Sequence, residues 1–202
     1  MGRAAKFDRD EVLDWAMNEV WSKGFSSLSV KAISEKMGMT RSSFYHSFES
    51  LDALFLEVMA RYFQLSPYIK LQGVTACQSP LELLTQVFKE TCQARSGDER
   101  HRGCMMVNSV AELSSSHDHL GPILKDLVHE SIRGFEKLLE QSVEKDELAN
   151  DTDTQQLALA VQNTLIGLNT LSKVITDEQQ LWGAVKSILI SLKVYRAEGS
   201  LH

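Results

Sequence analysis

Apolar residues return at three- and four-residue intervals along almost the whole chain, a rhythm that admits helices and little else. Leu13, Ala16, Met17, Val20 and Trp21 make one such stripe near the start. Strands would need sustained apolar–polar alternation bounded by hairpin turns, and no run of that kind is present. Only 3 of the 202 residues are proline, so little interrupts a helix. The reading is an all-α chain, long enough to bury a full core in one or two domains.

Local start and stop signals divide the pattern. Asp8 is a good N-cap with Glu11 three residues on, Phe7 and Val12 stand where a hydrophobic staple needs them, and Gly24 closes the first helix. Ser29 caps a short helix, Val30 to Met37, which Gly38 breaks. Thr40 caps a third, Arg41 to Phe48, with Phe44 and Phe48 on its buried side. A fourth follows Ser50 and runs toward Pro67. Residues 70–78 read as a loop, and Ser79-Pro80-Leu81-Glu82 opens the next helix with cap, N1 proline and N3 acid in order. A helix then ends near Gly97, another starts after Gly103-Cys104, and a long one spans about Leu120 to Lys145. Capping boxes headed by Asp153 and Thr176 open the last two.

Composition narrows the class. No apolar stretch reaches the length of a membrane span, and the opening residues lack the apolar core of a secretory signal, so the expected location is cytoplasmic. Cys77, Cys92 and Cys104 are too few and odd in number for a disulfide framework and read as reduced thiols. The net charge of −6 argues against nucleic acid, but its distribution does not. Residues 1–61 carry 8 Lys+Arg against 9 Asp+Glu. Within them, Lys31, Lys36 and Arg41 face the single acid Glu35 between residues 29 and 48, and Arg3 and Lys6 add a small basic arm.

The segment 29–48, SVKAISEKMGMTRSSFYHSF, places two short helices around a glycine turn. That is a helix-turn-helix, which sets its second helix into a major groove about 12 Å wide. The outward face of that helix offers Thr40, Arg41, Ser42, Ser43, Tyr45 and His46. Phe7 to Leu54, with its core AISEKMGMTRSSFYHSFESLDAL, resembles the DNA-binding domain of the TetR/AcrR family. The carrying residues are Ala32-Ile33, Gly38, Phe44-Tyr45-His46 and Phe48. The resemblance implies a three-helix DNA-binding domain over residues 1–52, a fourth helix from about 51 linking the parts, and a helical ligand-binding and dimerisation bundle over 53–202. It implies that Thr40 to Ser43, Tyr45 and His46 meet base edges and phosphates of a double-stranded operator. Lys31 and the arm add phosphate neutralisation, and Arg41 is the candidate for base readout. Two departures stand out: Ser42 where glycine is frequent, and Leu51 where a lysine is, which removes one phosphate contact.

One recognition helix reads few bases, so a homodimer on a palindrome is expected. The stripes Leu157, Val161, Leu165, Leu168, Leu171 and Leu181, Val185, Ile188, Leu189, Leu192, with Trp182, either form that interface or complete the protomer's own core. The resemblance favours the interface. It also implies a small-molecule effector in the C-terminal domain, for which Phe63, Phe88, Met105, Asn108 and Phe135 are candidate lining residues, with plain core as the competing role. Cys104 is the sharpest lead for an input. It follows Arg100, His101 and Arg102 at an expected helix N-terminus, and positive charge and helix N-termini both favour the reactive thiolate. The run 102–113, RGCMMVNSVAEL, resembles a Gly-Cys segment in one branch of the family, some of whose members sense electrophiles or oxidants. The competing role is a small buried hydrophobe. Lys173 is a candidate neighbour of this thiol.

Enzyme chemistry finds no support: there is no glycine-rich phosphate loop, GxSxG elbow or HExxH, so no catalytic residue and no cofactor is expected. His117, His119 and His129 lie in or near a polar loop and read as surface residues rather than metal ligands. The remaining alternative is a helical interaction adaptor without DNA binding. Salt-dependent binding to duplex DNA separates the two.

Overall fold

The computed structural model describes residues 7–73, 79–197 and 199. The arm residues Arg3 and Lys6, and Cys77, lie outside the described residues. The described residues form helices without strands: α1 (Arg9–Lys23), α2 (Val30–Met37), α3 (Arg41–Phe48), α4 (Leu51–Gln64), α5 (Pro80–Ser96), α6 (Met105–Leu113), α7 (Leu120–Glu144), α8 (Thr154–Leu171) and α9 (Glu178–Ser191). Short 3₁₀ turns cover Phe25–Ser27 and Pro67–Gly73, so the start of the expected 70–78 loop is helical in a tighter form.

The caps explain most of these boundaries. Asp8, Ser29, Thr40, Ser50, Ser79 and Asp153 each accept a backbone N–H from the first turn of the helix that follows. Each satisfies a donor that a helix N-terminus otherwise leaves unpaired. The last helix departs from expectation: its cap is Asp177, which accepts from Gln180 N, one residue after the expected Thr176. A carboxylate is the better acceptor and also carries the charge that a helix N-terminus favours.

The chain divides into two compact units, Met1–Leu65 with Asn108–Leu124 and Ser66–Val107 with Lys125–His202. In the first unit, α1 packs on α4 with Val12, Ala16 and Val20 buried on one side and Phe55, Val58 and Tyr62 on the other. Trp21 meets Tyr62 edge-on at 5.1 Å between ring centroids. Arg61 clasps Asp14 (2.7 Å) and Asp10 (2.9 Å) across the same helix pair, and Arg9 pairs with Glu57 at 2.6 Å. Arg9 also lies over the Phe48 ring, 4.7 Å from its centroid.

The core of the second unit gathers Leu84, Phe88 and Cys92 from α5, Phe135 and Leu139 from α7, Val161 and Leu168 from α8, and Leu181, Val185 and Leu189 from α9. The α8 and α9 stripes therefore divide between the two expected roles, with Leu171 and Ile188 left exposed. Val161, Leu168, Leu181, Val185 and Leu189 belong to the protomer's own core, and Trp182 packs against it. The apolar side chains left open on these helices are Leu159, Leu171, Ile188 and Ile190, all more than two-fifths exposed. Phe88 and Phe135, two of the candidate lining residues, are fully buried in this core, their rings tilted with centroids 6.5 Å apart.

Candidate nucleic-acid interface

The geometry of α2 and α3 follows from three local choices. Ser29 starts α2 by accepting from Ala32 N at 3.1 Å. Gly38 ends it with φ 62° and ψ 28°, the left-handed conformation that closes a helix without a Cβ penalty. Thr40 then starts α3, accepting from Ser43 N at 3.1 Å. Ile33, Met39, Phe44 and Phe48 turn inward and are at most 8% exposed.

The opposite face of α3 is open. Arg41, Ser42, Tyr45 and His46 are exposed, Tyr45 by 53%, while Phe48 is core. Thr40 is exposed, and its hydroxyl lies 2.9 Å from that of the half-buried Ser43. Both hydroxyls are thus engaged within the helix start. Lys31 on α2 is exposed and stands 3.9 Å from Glu35, a loose pair one turn along in which solvent screens most of the attraction. α3 ends on Glu49, whose φ of 59° and ψ of −50°, with Ser50 N donating to Phe48 O at 2.5 Å, make a tight γ-turn of the strained hand. Sequence spacing carried no sign of that turn.

The effector candidates separate. Met105, Phe88 and Phe135 are buried in the second unit, while Phe63 and Asn108 are half-buried and belong to the first. Phe135 also meets Tyr68 edge-on at 5.5 Å, and the Tyr68 hydroxyl, Ser131 and Gln162 form a hydrogen-bonded chain beside it. Tyr68 carried no signal in the sequence.

Cys104 is half-buried and immediately precedes α6. Gly103 has φ +69°, and a Cβ built there would stand 2.9 Å from Lys173 Cε and 2.5 Å from Asn169 O. The Lys173 chain therefore lies against Gly103, the residue before the thiol. The surrounding charge differs from expectation in one respect: the Arg102 guanidinium is matched by Asp98 at 2.9 Å. Burial alone would push Asp98 up, but the bonds from the side chain and backbone of Arg102 outweigh it and hold the carboxyl below its ordinary range. Cys92, on α5, is fully buried. Burial, aided by the negative charge of Glu178, pushes it up to about 12.

The histidines are not merely solvated. His119 Nδ1 lies 2.8 Å from Asp52 Oδ2, and His117 Nε2 lies 3.6 Å from Asp52 Oδ1. Among the described residues, no three His, Cys, Asp or Glu side chains are arranged to hold a metal ion. No described helix is long and apolar enough to cross a membrane.

Two short helices joined at a left-handed glycine, the second with a buried aromatic edge and an open polar face, define a helix-turn-helix protein. The family model described as bacterial regulatory proteins, tetR family, matches residues 12–58, and the tetracyclin repressor-like C-terminal domain matches residues 80–188. The chain belongs to the TetR family and is a transcriptional regulator. It is 25% identical over 182 residues to the HTH-type transcriptional regulator YezE of Bacillus subtilis (strain 168), covering 90% of this chain and 94% of YezE. It is 26% identical over 159 residues to the HTH-type transcriptional repressor ComR of Escherichia coli (strain K12), covering 78% and 75%. A solved structure of the TetR family regulator CifR, a cysteine mutant with a 26-base-pair double-strand operator DNA, superposes with a TM-score of 0.82 at 28% identity, covering 94% of this chain and 99% of that one.

Proposed function

We propose that the protein represses transcription by binding a palindromic operator duplex as a homodimer, with α3 of each protomer in the major groove. The carrying observation is the two-sidedness of α3: Phe44 and Phe48 buried, Arg41, Ser42, Tyr45 and His46 in solvent. Arg41 reads a base edge, a guanine being the natural partner of a guanidinium, and Tyr45, His46, Ser42 and Lys31 hold phosphates. Thr40 and Ser43 build the start of α3, and their contact with DNA comes second to that. The ComR name and the CifR complexes support the repressor and operator readings. Such a protein works in the cytoplasm, where the DNA is.

The test is operator binding after selection of a duplex from random sequence. Arg41→Ala should cost about 1–3 kcal/mol and relax preference at one base position. Tyr45→Phe should cost about 1 kcal/mol, the worth of one hydrogen bond, with the dimer intact in both. Gel-shift affinities that match the unsubstituted protein in both variants contradict the assignment.

Dimerisation uses the open side of α8 and α9 in this reading. Leu159, Leu171 and Ile188 stay exposed there, and Gly167 and Gly183 leave open space beside their backbones. Release requires only that an effector bind the DNA-incompetent state better than the competent one. Cys104 is the proposed point of entry for a thiol-reactive effector, supported by its partial exposure and by the Lys173 chain against Gly103. Alkylation at pH 8 should label Cys104 within minutes, leave Cys92 untouched in the folded protein, and release the operator in step with labelling. Complete alkylation of Cys104 with DNA binding retained would end the sensing role.

A further inference from the structure

The helix pair that reads DNA is held at both flanks by one short stretch of chain, residues 112–119. All of the residues concerned lie in the first unit. Ahead of α2, the turn at Phe25 and Ser26 presents two backbone N–H groups to the carboxylate of Glu112, on the last turn of α6. Phe25 N donates to Oε2 and Ser26 N to Oε1, each at 2.9 Å. Behind α3, Asp52 in the first turn of α4 meets His119 and His117. Leu120 N donates to His117 Nδ1 at 3.2 Å, which leaves Nε2 as the proton-bearing nitrogen facing Asp52. Between the two grips, the Phe25 ring sits edge-on to both Phe55 (5.2 Å) and His117 (5.4 Å).

The forward grip is the more constrained. Two successive N–H groups aimed at one carboxylate form a small anion-binding concavity, with both bonds charge-assisted. Gly24 permits it: with φ +86°, any Cβ there would fall 2.6 Å from Glu112 Oε2. Ser27 Oγ donates to Gly24 O at 2.7 Å and holds the turn in shape. Backbone, glycine and carboxylate therefore agree on one arrangement.

We infer that Glu112 is a positioning residue for operator binding: its carboxylate sets the attitude of the α2–α3 pair through the turn before α2. The inference rests on the DNA-binding reading above. Glu112 touches no DNA in this account and acts on how the two readers of a dimer register with one palindrome.

The experiment uses the full-length dimer, a duplex selected by the unsubstituted protein, the same duplex with one base pair added between half-sites, and an unrelated duplex of equal length. E112A should lose about tenfold on the selected duplex, the scale of losing charged hydrogen bonds. Its penalty for the added base pair should shrink, and binding to the unrelated duplex should stay within about twofold, because the phosphate contacts remain. E112Q should fall between, since an amide oxygen serves one N–H while its NH₂ opposes the other. G24A should reproduce E112A, because its Cβ displaces the carboxylate. E112Q keeps shape and volume and so remains informative if E112A folds poorly. An unchanged spacing penalty in E112Q and G24A, or equal losses on all three duplexes, overturns the role. If the unsubstituted protein selects no duplex, it is the DNA reading that has failed.

Discussion

Phe135→Ala should lower the free energy of unfolding by about 3–5 kcal/mol, the range for an aromatic removed from a close-packed interior. The side chain is 1% exposed and sits in the cluster with Leu84, Phe88, Leu139, Val161 and Leu189, so little can collapse into the space it leaves. It also anchors two rings, Tyr68 at 5.5 Å and Phe88 at 6.5 Å, whose geometry depends on it. Whole proteins are typically stable by only about 5–15 kcal/mol, so the loss would be a large fraction of the total. Urea unfolding followed by far-UV circular dichroism checks it. Tyr45→Ala is the internal contrast: an aromatic of the recognition helix that is half in solvent, expected to change stability by less than about 0.5–1 kcal/mol. If Phe135→Ala cost under 1 kcal/mol, the described packing around α7 would be wrong.

That contrast also marks where sequence reasoning reached and where it stopped. The helix boundaries were legible because caps are local: Asp8, Ser29, Thr40 and Ser79 act within three residues of themselves. The two faces of α3 were legible for the same reason, the aromatic spacing Phe44-x-x-x-Phe48 fixing which side turns inward. The α8 and α9 stripes kept two open roles because periodicity tells that a face is apolar, never what covers it. Val161 and Leu189 meet their own protomer's core, while the open face carries Leu159 and Ile188 among smaller and polar residues. Contacts at long separation were out of reach. Nothing near Glu112 points to the backbone of Phe25, 87 positions away, and nothing near His119 points to Asp52. Arg9 shows the same limit: it counts as a cation in any tally of the N-terminal charge, yet it is paired with Glu57 and stacked on Phe48.

Gly103→Ala should destabilise the protein by about 2–5 kcal/mol, from left-handed backbone strain and from overpacking. Two costs add at this position. The backbone has φ +69°, where an alanine is strained, and the new Cβ would meet Asn169 O at 2.5 Å and Lys173 Cε at 2.9 Å. The lysine chain can swing away, but the carbonyl belongs to α8, and the side chain of the same Asn169 accepts a 2.6 Å bond from the buried Arg95. Moving the carbonyl therefore disturbs a buried charged group, which is expensive to leave poorly solvated. Gly103→Asn separates the two costs. Asparagine tolerates left-handed backbone better than alanine does, so it should recover stability only if conformation dominates. We expect little recovery, because its Cβ meets the same carbonyl. Denaturant midpoints of the two variants decide the matter: an asparagine variant close to the unsubstituted protein would show that the loop before α6 is not pressed against α8. Native alkylation rates of Cys104 should change in both variants, since the adjoining residue can no longer keep its place beside Lys173.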